Sequence, residues 1–258
     1  MSRTVERQQQ TALKQQDAPI EVLVVDPITL PVARLLAKFR IHPLHITALA
    51  FLARIVAAYM LMLNMTIGGA IFACLGFLWD GIDGKIARIR HIDEELHGTV
   101  DFLLDQVAFT VLGLGIVIWS VSQNQDYVAI LLATWLGAYL VFMAFTSTWN
   151  RLLAQNNMGY NKGVGERVFN RALQPDRQNV INQTLKILYD SFMFMRASVA
   201  RFRMTPYPGA IESEVIVFMI APLFHYQILI LILGVILLIP DILVTLILIL
   251  IAVLQKRG

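Results

Sequence analysis

Residues Trp79–Gln106 read WDGIDGKIARIRHIDEELHGTVDFLLDQ. Four aspartates in this stretch, Asp80, Asp83, Asp101 and Asp105, sit at the inner ends of two apolar runs, about 66–88 and 98–120. Each run has the ~20 residues a helix needs to cross a bilayer. Asp80, Asp83, Gly84 and Ala87 recur at i,i+3 and i,i+4 and share one helical face, and Asp101 and Asp105 share another. Both pairs lie roughly 10 residues, or ~15 Å, from a loop centred near Asp93. An antiparallel hairpin is expected to bring all four carboxylates together at membrane depth, where an uncompensated acid is costly.

Working outward, the 258 residues are 57% apolar and 15% charged, against roughly half and a quarter for a soluble domain. Further apolar stretches at about 46–63, 127–147, 210–225 and 227–254 predict an all-α integral membrane protein with six transmembrane helices. His225-Tyr226-Gln227 is a weak break between the last two spans, and Pro240-Asp241 interrupts the sixth. Lys and Arg lie before the first span, around Arg88–Arg90, throughout 151–203 and at Lys256-Arg257, whereas the turns near Asn64, 121–126 and 225 have none. This asymmetry places both termini and the acid-bearing loop in the cytoplasm. It also accounts for the net charge of +3 without a nucleic-acid partner. The single cysteine, Cys74, excludes an internal disulfide.

Residues 1–26 are polar and Gln-rich, with RQQQTALKQQ at Arg7–Gln16. They lack the apolar core of a signal peptide and are expected to form a mobile tail ahead of a membrane domain over 27–258. From Pro31 to Arg40, Leu35, Leu36 and Phe39 share a face while Arg34 and Lys38 repeat at i,i+4, predicting a short interfacial amphipathic helix. The 148–208 segment is too long for a plain connection. Its second half carries Ile181, Leu185, Leu188, Phe192, Met195 and Val199 at helical spacing, predicting a second amphipathic helix.

Four ionised acids in one confined place repel. Protonation relieves this in part, and two divalent cations neutralise it fully. Oxygen-only ligation suits Mg²⁺, Mn²⁺ or Ca²⁺ rather than zinc. Gly81 and Gly84 each cost about 1 kcal/mol of helix propensity relative to Ala, and they permit close approach of a ligand or a neighbouring helix. Arg88, one turn beyond Gly84, can donate to phosphate oxygens. Arg54, inside the first span, is a candidate for a donor phosphate or for helix pairing. Glu212 and Glu214 open the fifth span, either facing an acceptor or solvated at the interface.

The order Asp80-x2-Asp83-Gly84-x2-Ala87-Arg88 followed by Asp101-x3-Asp105 resembles the signature of the CDP-alcohol phosphotransferase family, D-x2-D-G-x2-A-R-x8-G-x3-D-x3-D. His97 stands where that family has its glycine, and Glu94 where a small hydroxyl residue is common. Pro43-Leu44-His45-Ile46-Thr47 resembles the family's P-N-x-x-T opening, with Leu44 in place of asparagine. The resemblance implies an enzyme that moves a substituted phosphate from a CDP-linked donor, such as CDP-diacylglycerol, to an alcohol acceptor and releases CMP. It implies two Mg²⁺ or Mn²⁺ ions held by Asp80, Asp83, Asp101 and Asp105, with Asp105 as general base. Asp83, Gly84, Ala87 and Arg88 would border the CDP moiety, and Pro43, His45, Thr47, Arg54 and His97 are further candidate substrate contacts. Related proteins are often homodimers. Competing expectations are a Mg²⁺-dependent membrane prenyltransferase, whose acid clusters usually recur on separate helix pairs, an ion carrier, and a degenerate, non-catalytic scaffold.

Overall fold

A computed structural model of the chain describes residues 12–14, 17–39, 41–92, 94–155, 191, 194, 198–199 and 201–255. Helix α1 (Asp26–Lys38) follows a π-turn at Glu21–Val25, and α2 spans Pro43–Met62. Helices α3 (Thr66–Arg90) and α4 (Glu94–Ser122) carry the aspartates, and α5 spans Asp126–Gln155. A broken helix follows, built from α6 (Ala210–Val215), a π-turn (Ile216–Ile220) and α7 (Ala221–Leu223). The last helix is α8 (Ile228–Gln255). The described residues form no strand, only one isolated bridge between Asp17 and Met204.

Among the described residues, five helices, α2 to α5 and α8, are long and apolar enough to cross a membrane. The expected fifth span, 210–225, is instead the broken helix. Its length of about 14 residues gives ~21 Å of rise, short of a ~30 Å hydrocarbon core. Pro222 and the left-handed residues His225 and Tyr226 end it. Gly209 N and Ala210 N at its start are bonded by Glu212 (2.8 Å) and Asp241 (2.7 Å). Asp241 therefore captures an orphan backbone donor of a helix start that lies within the protein.

The two acid-bearing helices barely touch one another; each packs on α2. A Cβ at Gly76 of α3 would lie 2.7 Å from Arg54 Cγ and 3.0 Å from Ala50 O. One at Gly115 of α4 would lie 2.8 Å from Ala58 O. Glycine at these two positions lets α2 wedge between its neighbours, small residue against backbone. The hairpin expected from sequence is thus opened by a third helix, and Arg54 stands in the opening.

The far end of the bundle is apolar and aromatic. The turns at Asn64 and Asn124 both place an asparagine in the left-handed conformation. Trp119 Nε1 donates to Asn64 Oδ1 at 2.8 Å, and its ring centroid lies 4.7 Å from that of Tyr226. Trp135, Tyr139, Phe109 and Phe218 continue this core inward, toward the acids.

Ordered structure begins ahead of the boundary expected at residue 26. Ala12, Ala18, Glu21 and Val25 are buried. Asp17 N donates to Arg203 O and Thr205 N donates to Asp17 O, both at 2.8 Å, so part of the expected tail is clamped to the segment before α6. Burial of apolar Ala and Val side chains within a polar-looking run explains the difference. Helix α1 is longer than the expected 31–40 helix. It buries Thr29 and Ala33 against its neighbours and exposes Ile28, Leu35 and Phe39. Most of the amphipathic helix expected over 180–202 lies outside the described residues.

Candidate metal centre

One turn of α3 and one turn of α4 build the centre. Asp80, Asp101 and Asp105 each direct a carboxylate oxygen to a point where the three oxygens lie within 4.8 Å of one another. Asp83, one turn further along α3, is 1% exposed and occupies the next position rather than the same one. Thr47, at the start of α2, donates its hydroxyl to Asp83 Oδ2 at 2.7 Å. Pro43 sets this up, because it is the first residue of α2 and fixes the turn that carries Thr47 inward.

Arg54 is the internal counter-ion. It is 4% exposed and donates through Nη1 to Asp105 Oδ1. Its Nη2 faces Asp80 Oδ1 at 3.5 Å, a distance for an ion pair but a poor one for a hydrogen bond. The guanidinium carbon lies 5.4 Å from the Phe109 ring centroid, within cation–π range. Arg54 of α2 therefore ties α2 to both acid-bearing helices and offsets part of their charge.

Compensation is incomplete. Arg54 forms ion pairs with Asp80 and Asp105 but none with Asp83 or Asp101. Among the described residues, Asp80 Oδ1, Asp83 Oδ1 and Asp101 Oδ1 are buried with no hydrogen-bond donor. Native structures seldom leave such atoms unpaired, and each costs on the order of 1–3 kcal/mol. Two such oxygens within the cluster, on Asp80 and Asp101, and a third beside it on Asp83 fit an oxygen-loving divalent cation.

The remaining expected residues fall at the rim. Ala87 is buried, and the Arg88 guanidinium folds back over Gly84. Arg88 Nε donates to Ala12 O at 2.9 Å. Gly81 is covered by Val25 and Thr29 and serves helix packing. His97 is 6% exposed, with Nε2 4.0 Å from Asp83 Oδ1. His45 is exposed, its ring meeting His42 edge-on at 6.3 Å.

Glu212 and Glu214 are not simple interfacial acids. Glu212 accepts from Ile20 N at 3.0 Å and from Gly209 N, tying the N-terminal segment to α6. Glu214 lies in the electrostatic reach of Asp105 and Arg54 and pairs with the Tyr139 hydroxyl. Sequence reasoning missed this extension of the polar cluster. The signal was there: Glu214 shares its helical face with Ala210, Val217, Phe218 and Ala221, all of them buried.

Five apolar helices around a buried polar cluster decide the class of molecule. The chain is a multi-pass integral membrane protein. No protein-family model matches it, and no solved structure does. It is similar to inner membrane protein YnjF of Escherichia coli (strain K12), with 26% identity over 145 residues, 56% of this chain and 68% of that protein.

Proposed function

We propose that this chain is a membrane transferase of the CDP-alcohol phosphotransferase type. It would move a substituted phosphate from a CDP-linked donor to an alcohol and release CMP. The observation that carries the reading is the gathering of Asp80, Asp101 and Asp105, two of which carry an oxygen without a donor among the described residues, on the helix pair that bears the D-x2-D-G-x2-A-R and D-x3-D sequence. By the charge asymmetry of the loops, the site would open to the cytoplasm.

Asp80, Asp83 and Asp101 would hold divalent cations, which when bound supply charge neutralisation for the pyrophosphate. Gly84, Ala87 and Arg88 would border the CDP moiety, the small residues allowing close approach and Arg88 donating to phosphate. Arg54, bonded to Asp105 Oδ1, fixes the orientation of that carboxylate. Asp105 would accept the proton of the acceptor hydroxyl as its oxygen forms a bond to the β-phosphorus. The bond from that phosphorus to the CMP oxygen breaks, and CMP leaves with the electron pair. Positioning and electrostatics carry most of such a displacement.

The test is a substrate panel on purified full-length protein with Mg²⁺ or Mn²⁺. CDP-diacylglycerol is offered with serine, inositol, inositol phosphate, glycerol phosphate or choline, and CDP-choline is run in parallel with a lipid alcohol. Mass spectrometry reads CMP and the new lipid. Metal-dependent CMP release is expected, falling by about 10²–10⁴-fold in Asp105→Asn with donor binding retained. Near-normal release from that variant would overturn the base assignment. No release from any pair would overturn the reading as a whole.

A further inference from the structure

His97 is a buried side chain that the carboxylate cluster does not explain. It is 6% exposed, and among the described residues neither ring nitrogen has a hydrogen-bond partner. Buried imidazoles are normally bonded, and an unmet ring nitrogen destabilises the fold. Packing alone is therefore a poor reason for a histidine here.

Its Nε2 faces Asp83 Oδ1, itself without a donor among the described residues, at 4.0 Å. That separation is too long for a hydrogen bond. It is close to two metal–ligand bonds of about 2.0–2.2 Å laid end to end. Two lone-pair donors facing each other across such a gap attract a cation and repel an anion. Thr47 already engages Asp83 Oδ2, which fixes the carboxylate and leaves Oδ1 directed at His97. A ligating carboxylate steadied in this way is the usual outer arrangement of a metal site.

We propose that His97 Nε2 and Asp83 Oδ1 form a mixed nitrogen–oxygen cation site that prefers a first-row transition ion, such as Mn²⁺, to Mg²⁺. An imidazole ligand favours such ions, whereas Mg²⁺ keeps to oxygen. The inference rests on the reading that this helix pair holds divalent cations, and it adds the nitrogen ligand and the ion preference.

The experiment uses detergent-purified full-length protein and Mn²⁺ as the probe. Electron paramagnetic resonance follows Mn²⁺ uptake with and without competing Mg²⁺, and pulsed measurements report directly bound nitrogen. Wild type is expected to show histidine nitrogen coupling, lost in His97→Gln and kept in His42→Gln. The Mn²⁺-over-Mg²⁺ preference is expected to fall about tenfold or more in His97→Gln, with Mg²⁺ affinity little changed. Bound Mn²⁺ without nitrogen coupling in wild type overturns the inference, needs no variant, and leaves the carboxylate reading standing. An unchanged ion preference in a folded His97→Gln protein overturns it too. No Mn²⁺ uptake by wild type overturns this site and the cation-binding reading together.

Discussion

Asp26 and Asp101 are both aspartates largely withdrawn from water in one small protein, and their surroundings are opposite. Asp26 is 6% exposed and fully answered, with Lys85 Nζ 2.9 Å from one oxygen and Arg203 Nη2 3.2 Å from the other. Lys85 also donates to Gly81 O at 3.0 Å, so this pair locks α1 to α3. Asp101 stands beside Asp80 and Asp105, the two acids that Arg54 pairs with, and among the described residues its Oδ1 has no donor. The first carboxylate is built into the fold. The second is held at a cost to it, and a group that destabilises its surroundings is the mark of a binding site.

The contrast is sharpest in a pair of isosteric variants. Asp26→Asn should cost about 3–5 kcal/mol, because it leaves the Lys85 ammonium buried without its carboxylate. Asp101→Asn should move the other way and raise the melting temperature of metal-free protein, while abolishing stabilisation by added Mg²⁺ or Mn²⁺. Thermal unfolding in detergent measures both. Equal losses in the two variants would break the distinction.

Arg54→Met should cost about 2–3 kcal/mol, less than Asp26→Asn although Arg54 itself is buried. The reason is that Asp80 and Asp105 keep 26% and 22% exposure, so water partly screens them once the cation is gone. Divalent cations should recover part of the loss in a melting assay. Thr47→Val is expected to cost about 1.5–3 kcal/mol by removing the hydrogen bond to Asp83, with the weakening of metal binding read by calorimetry.

Glu21 gives the smallest effect and an intermediate case. Burial raises its carboxyl to about 7, against the opposing pull of Lys85. Between pH 4.5 and 7 the unfolded chain releases this proton while the folded chain keeps it, so stability falls as pH rises through that window. From pH 6 to 7 the change is about 1 kcal/mol. Glu21→Gln should flatten that part of the pH–stability curve relative to wild type.

Much of this was legible before any coordinates. The membrane class, four of the five long helices nearly to their ends, and the convergence of Asp80, Asp101 and Asp105 all follow from apolar length and i,i+4 spacing. Helical periodicity is set locally, and the bilayer enforces it. The end of the helix at 210–223 was legible in the break at His225-Tyr226-Gln227, but the π-turn inside the run was not, because apolar composition does not reveal a local change of hydrogen-bond register. Nor was the packing of residues 12–14 and 17–25, where a few small apolar side chains inside a polar stretch are buried in the folded protein.

The sequence by itself determined which side chains lie on which face of which helix, and hence that acids would accumulate at one depth. Only the tertiary structure decided how they are shared. Helix α2 enters between α3 and α4 where Gly76 and Gly115 admit it, Arg54 arrives with it, and Asp83 is drawn toward Thr47 and His97 instead of the other three acids. Spacing along a helix is a one-dimensional property, whereas the neighbour a carboxylate meets depends on backbone approach and side-chain volume summed over separate segments. That is why the acids could be counted in advance and their partners could not.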